Sequence, residues 1–268
     1  MIKIILKILS FLPLRFNHLL GSFIGWCLWF FNTDVKKISE KNIQQCLNNL
    51  DILKQSLIET GKTLFETANI WFEPYHRNLK RIKTTGAEVL DKNKAIIILL
   101  PHLGCWEIVG NYLSNQKKIT CLYKQLKNKK ANQQLVEARE SRGYILAPAN
   151  KLGVIKLQKA ILNKEWIGIL PDQNPGENNG IKVNFFGKKA LTMSLLVKLV
   201  RKNNVQVVST WAERLGRGKG YLIHFKEVNV QANTNKLEDD CLLMNQIIEN
   251  MILQKPEQYQ WSYNRFKY

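Results

Sequence analysis

The sequence predicts an α/β protein: a central, mostly parallel or mixed sheet flanked by helices, with an N-terminal hydrophobic helix that associates with a membrane. Three observations carry this. The short apolar runs AIIILL (residues 95–100) and WIGIL (166–170) read as strands covered on both faces. Segments of helical spacing alternate with such strands, which implies helices on both faces of one sheet. The opening stretch, MIKIILKILSFLPLRFNHLLGSFIGWCLWFF, is almost wholly apolar.

That opening stretch sets the first boundary. Residues 1–14 place Lys3 and Lys7 four apart among Ile and Leu, as in a basic amphipathic helix lying in a membrane interface. After Pro13 and Arg15, residues 19–31 carry no charge, a shorter run than the roughly 20 residues a spanning helix needs. Trp26, Trp29, Phe30 and Phe31 gather at one end, as interface aromatics do. Spanning and interfacial placement both remain open, and a buried helix is the alternative to either. No small-x-small cleavage site follows, against a signal peptide, and the basic flank favours a cytoplasmic face. Residues 1–31 are thus a membrane-associating segment and 32–268 a single α/β domain.

Residues 35–50 and 52–72 show helical spacing, the second with Leu57, Gly61, Leu64, Phe65 and Ala68 on one stripe. After the strand at 95–100, Pro101–Gly104 form a turn and residues 105–113 a helix. A strand is expected at 119–123, helices at 131–142 and 152–162, and the second buried strand at 166–170. Residues 172–180 (DQNPGENNG) are a loop. A helix at 190–201, strands at 205–211 and 221–226 around a Gly-rich turn, and a helix at 237–253 complete the chain. No Walker loop or GxGxxG follows any strand, so nucleotide binding has no support.

Composition narrows the function. A chain of 268 residues with 45% apolar content can bury its own core. Five scattered cysteines without a CxxC pair fit a reducing compartment rather than a zinc ribbon or redox dithiol. The net charge of +19 implies an anionic partner. Lys117, Lys118, Lys124, Lys127, Lys129 and Lys130 form a run without an acid, either a docking patch or a plain solvated face. Tyr123 alone interleaves aromatically, so nucleic-acid stacking is not suggested. His18, His76 and His224 form no ligand set with His102, so no metal and no cofactor are expected.

The richest segment is Leu99-Leu100-Pro101-His102-Leu103-Gly104-Cys105-Trp106-Glu107. His102 sits at the carboxyl end of a buried strand, where open α/β sheets place their sites. Glu107 lies in the first turn of the following helix. With His102 in the turn, the imidazole can fold back so that Glu107 accepts the Nδ1 proton and Nε2 acts as general base. The alternative is that His102 caps the helix and Glu107 complements its dipole.

HLGCWE resembles the H-x4-E motif of the lipid A late acyltransferases, the lauroyl/myristoyl transferase family within the lysophospholipid acyltransferase superfamily. Further blocks match in order: Pro171–Gly176 (PDQNPG), Val183–Ala190 (VNFFGKKA), Arg139–Gly143 (RESRG) and PEQYQW at 256–261 followed by Arg265-Phe266-Lys267. The resemblance implies a bacterial inner-membrane enzyme on the cytoplasmic face. It implies acyl transfer from an acyl carrier protein thioester to a hydroxyl of an acylated glucosamine disaccharide, a lipid A precursor. His102 would be the base, oriented by Glu107. Asp172, Gln173 and Arg139 would bind substrate, with Asp172 contacting the sugar or positioning Arg139, and Arg139 meeting a phosphate or a carboxylate such as Asp172. An Asx turn at Asp172 and a solvated helix charge at Arg139 are the plainer alternatives. Cys105 reads as packing rather than as a nucleophile. Other amphiphilic acceptors (a glycerophospholipid, an ornithine or inositol lipid) and a non-catalytic basic membrane binder are the rival readings.

Overall fold

The computed structural model describes residues 2–232 and 234–267; Met1, the first residue of the expected N-terminal helix, lies outside them. The two apolar runs form β2 (Ile96–Leu99) and β5 (Trp166–Ile169), neighbours at the centre of a seven-stranded sheet. They pair in parallel with Leu99 opposite Ile169. Around them lie β1 (Ile82–Thr85), β3 (Ile119–Tyr123), β4 (Tyr144–Pro148), β8 (Gln206–Arg214) and β9 (Tyr221–Val228), in the order β1-β9-β8-β2-β5-β3-β4. All pairs are parallel except β8 with β9, so the sheet is mixed as expected.

Every side chain of β2 is buried, because helices cover both faces. Ile97 and Leu99 pack with α8 (Lys151–Leu162), α9 (Leu195–Asn203) and α10 (Leu237–Ile252). Ile96 and Ile98 pack on the other face with Ile108 and Val109 of α6 (Trp106–Gln116) and with Leu14 and Ile70 from the N-terminal helices. This alternation is the period-two geometry of a strand.

The N-terminal layer comprises α1 (Ile2–Leu9), α2 (Leu14–Phe30), α3 (Asp34–Leu47), α4 (Leu53–Phe72) and α5 (Tyr75–Lys80). Pro13 lacks an N–H and separates α1 from α2. Helices α2 and α4 approach closely through glycine: a Cβ on Gly61 would lie 2.1 Å from the Gly21 carbonyl oxygen. The opposite face of α2 exposes Phe16, Leu19, Leu20, Phe23, Trp26 and Phe30. Trp29 instead packs against the core, under the Lys54 ammonium. No helix among the described residues is long and apolar enough to cross a membrane.

The structure corrects the sequence at 180–201. The expected helix at 190–201 begins later, as α9, because residues before it form a hairpin of β6 (Gly180–Phe185) and β7 (Lys188–Met193). Its two-residue turn, Phe186-Gly187, has φ of 48° and 73°, the positive values that tight hairpins favour. Strands β1 and β4 and helix α5 were not expected. They are short, and Tyr144–Pro148 ends in a proline, which weakens its strand signature.

Candidate active site

The site is built on the carboxyl edge of β2 and β5. From Leu99 the chain continues with the Leu100 N–H donating to the Ile169 carbonyl (3.1 Å), then turns. That turn is held on two sides. His102 accepts from the Gln260 N–H (3.0 Å), Gly104 donates to the Gln258 carbonyl (2.9 Å), and Cys105 donates to the Ala212 carbonyl of β8 (2.9 Å). Gly104 has φ of 62°, and a Cβ there would sit 1.9 Å from the Ala212 oxygen, so only glycine fits. Trp106 opens α6 with its ring edge-on to His102, centroids 5.1 Å apart.

Leu99 and Ile169 are register partners, and His102 and Asp172 each lie three residues beyond them. The two side chains therefore meet. His102 Nδ1 is 2.8 Å from Asp172 Oδ1, and the His102 backbone N–H donates to Asp172 Oδ2 at 2.9 Å. Burial opposes ionisation of Asp172, whose side chain is 1% exposed, yet the neighbouring His102 and the hydrogen bonds from its ring and backbone hold the carboxyl below its ordinary pKa. An ionised carboxylate only accepts, so Nδ1 carries the proton. Nε2 makes no hydrogen bond with any described residue, and the imidazole is 16% exposed.

Glu107 is not the partner of Nδ1, contrary to the sequence expectation. Its carboxylate takes both arms of Arg139, with Nη2 to Oε1 at 2.5 Å and Nε to Oε2 at 3.3 Å, and the Trp71 indole N–H at 3.2 Å. Burial raises the Glu107 pKa less than Arg139, Trp71 and the nearby His102 lower it, so it too is ionised. The expected pairings are thus crossed: Asp172 serves His102, and Arg139 serves Glu107 rather than Asp172. Gln173, the neighbour of Asp172, donates from Nε2 to Gln260 Oε1 (3.1 Å), tying its loop to the chain's closing segment. Burial, followed by the negative charge of Glu66, keeps the Cys105 thiol protonated, which removes it as a nucleophile.

The closing segment was legible only as a matched motif. In the structure it walls the site: Leu103 bridges to Tyr259, whose buried phenol is raised well above its ordinary pKa by burial and by the neighbouring Asp172 carboxylate. A cleft of about 250 Å³ opens beside the turn, between Thr60, Thr63 and Thr67 of α4 and Trp106, Tyr259 and Gln260. Among the described residues no three His, Cys, Asp or Glu side chains gather as a metal site.

The lysine run is not one patch. Lys117 donates to the carbonyls of Lys92, Lys94 and Lys164, and Lys118 pairs with Glu165 at 2.7 Å, both at the amino end of β3. Lys124, Lys127, Lys129 and Lys130 are exposed beyond its carboxyl end, on the His102 edge of the sheet. A strand of five residues, about 16 Å at strand rise, separates the two groups.

A family model described as bacterial lipid A biosynthesis acyltransferase matches residues 1–268. The chain is 23% identical to a lipid A biosynthesis acyltransferase of Haemophilus influenzae, over 96% of this chain and 86% of that one. It is 22% identical to the Escherichia coli lipid A biosynthesis lauroyltransferase (96% and 87% covered). It is 24% identical to the palmitoleoyltransferase of the same organism (96% and 86%). With the family match spanning its whole length, the chain belongs to the bacterial lipid A biosynthesis acyltransferases.

Proposed function

We propose that this acyltransferase moves a fatty acyl chain from an acyl carrier protein thioester to a hydroxyl of an acylated glucosamine disaccharide, at the cytoplasmic face of a bacterial inner membrane. The observation that carries the mechanism is the 2.8 Å contact of His102 Nδ1 with the buried Asp172, which leaves Nε2 without a hydrogen bond among the described residues; Trp106, edge-on to the same imidazole, lines the cleft. Nε2 takes the proton of the acceptor hydroxyl as its oxygen attacks the thioester carbonyl. Asp172 holds the imidazole and stabilises the imidazolium. The tetrahedral intermediate expels the carrier thiolate, which recovers the proton from Nε2, leaving an ester and a free thiol. The thioester is already activated, so no enzyme nucleophile is required. Glu107 acts as a second anion within electrostatic reach of His102, fixed there by Arg139.

Support for a membrane location comes from α2, whose exposed Phe16, Phe23, Trp26 and Phe30 form an apolar face of the kind that enters an interface. The exposed Lys124–Lys130 group suits an acidic carrier protein. The test is purified protein in vesicles holding either the disaccharide lipid or a glycerophospholipid, supplied with acyl carrier thioester and read by mass spectrometry. One added acyl ester on the disaccharide lipid is expected. Acylation of the glycerophospholipid alone would overturn the acceptor, and transfer only from acyl-CoA would overturn the donor.

A further inference from the structure

Beneath the His102 turn lies a fully buried ionic cluster that the acyl-transfer mechanism does not use. Arg214, at the end of β8, is 1% exposed. Its Nη1 meets Glu59 Oε2 at 2.6 Å, and its Nε and Nη2 grip Glu66 at 2.9 and 2.5 Å. Nη2 also reaches Thr63 Oγ1 (2.9 Å) and the Gly104 carbonyl (3.3 Å). The Arg214 backbone is clamped by one carboxamide: Gln258 Oε1 accepts its N–H (2.8 Å) and Gln258 Nε2 donates to its carbonyl (3.0 Å). Gln258 in turn accepts the Gly104 N–H. Both backbone polar groups of Gly104, two residues after His102, are therefore held by Arg214 and its clamp.

The cluster also reaches outward. Glu66 is ionised, its pKa down to about 2 because Arg214 and His18 outweigh burial. It accepts from the Tyr221 hydroxyl (3.1 Å) and from His18 Nε2 of α2 (3.1 Å). Lys62 pairs with Glu59 at 2.6 Å, so the charges of Arg214, Lys62, Glu59 and Glu66 cancel. Burying two carboxylates and a guanidinium is unfavourable unless each bond is made, and hydrophobic residues would stabilise such a place at least as well. What a planar fork with fixed donors adds is geometric specification.

We infer that Arg214 is a positioning residue for acyl transfer: it fixes the turn that carries His102 and locks that turn to α4 and α2. This rests on the reading of His102 as the base. Displacement of a reacting group by about 1 Å is enough to slow turnover about 10²-fold.

The test uses the full chain in membranes. Arg214→Lys keeps the charge but cannot fork to two carboxylates and a carbonyl, so kcat should fall about 10–10²-fold with KM for both substrates within about threefold. Loss of folded protein alone would also lower kcat, so the deciding readout is spectroscopic. The Nδ1 proton of His102, held by Asp172, should give a downfield NMR signal in wild type that shifts or is lost in Arg214→Lys. Arg81→Lys is the control. Arg81 grips buried Glu73 at 2.5 and 3.0 Å and touches no atom of the turn, so stability should fall while the signal stays. If Arg214→Lys does not fold, Gln258→Met loosens the same turn from its other side and should move the signal the same way. An unmoved signal in the folded variant, or full turnover, overturns the inference. Wild-type protein without acyl transfer would refute the functional reading and leave this one decided by the NMR signal.

Discussion

His102 and Asp172, 70 residues apart in the chain, are joined by two hydrogen bonds, one from the ring and one from the backbone of the same histidine. The backbone bond ties the carboxylate to the turn, and the ring bond sets the tautomer, so the imidazole is held in one orientation.

Asp172→Asn should therefore lower kcat by about 10²–10⁴-fold, the range of a general base, while the protein stays folded and membrane-bound. His102→Ala should lose as much, and the double variant little more, because the two act as a unit. Steady-state kinetics on the three variants check this; near-normal turnover of Asp172→Asn would remove the pair from the mechanism.

Glu107 and Arg139 should behave as a buried ion pair. Removing one partner leaves the other charge unpaired, so Glu107→Gln and Arg139→Gln should each destabilise by about 3–5 kcal/mol. Removing both should destabilise by less than the sum of the two. Chemical denaturation of the four proteins measures the coupling, and additive losses would mean that the bidentate contact is energetically idle.

Acid should unfold the protein through the Arg214 cluster. Glu66 has its folded pKa depressed, to about 2 from 4.5, so its contribution is complete above about pH 4.5 and is lost as pH falls towards 2. Glu59, Glu107 and Asp172 are shifted in the same direction and add to the loss. Stability should decline steadily across that window. Glu66→Gln should be less stable at neutral pH and show a shallower decline; an equal slope would mean that Glu66 does not drive the transition.

The division of the lysine run gives two different outcomes. Charge reversal of Lys124, Lys127 and Lys130 should raise the KM for acyl carrier protein and leave kcat nearly unchanged. The wild-type KM should also rise with salt, since exposed charges act by steering that is screened over about 8–10 Å. Lys117→Met should instead destabilise, because three backbone carbonyls lose their donor, with no effect on that KM. Equal KM effects at Lys117 and Lys127 would refute the assignment of the docking group to the His102 edge.

The face of α2 should govern membrane binding. Replacing Phe16, Phe23, Trp26 and Phe30 with Ser should release the protein from vesicles without unfolding it, because these side chains are exposed and the glycine contact with α4 lies opposite. Vesicle sedimentation in high salt reads this; retained binding would place the anchor elsewhere.

Much of the fold was legible because it is written in local pattern. Ile96–Leu99 and Trp166–Ile169 are apolar throughout, and a strand with no polar side must be covered twice. The helix after His102 was visible from its spacing. The 180–193 hairpin was hidden because FFGKKA looks like a loop entering a helix, while the positive φ at Phe186 and Gly187 that closes the hairpin is a property of backbone geometry.

By itself the sequence determined the chemistry present at the site: a histidine after a buried strand, two carboxylates and an arginine at motif positions, and a basic, apolar-ended chain. Which carboxylate meets the histidine was decided only by tertiary structure. The chain leaves β2 through α6, builds β3 and β4, and returns through α8 to place β5 against β2. That return sets Ile169 beside Leu99 and so Asp172 beside His102, leaving Glu107 to Arg139. Glu107 is near in sequence, but it lies on the first turn of α6, where Arg139 and the Trp71 indole already engage both carboxylate oxygens. The Arg214 cluster was equally out of reach, since its members come from α2, α4 and β8, and only the packing of those elements removes the water that would otherwise solvate each charge.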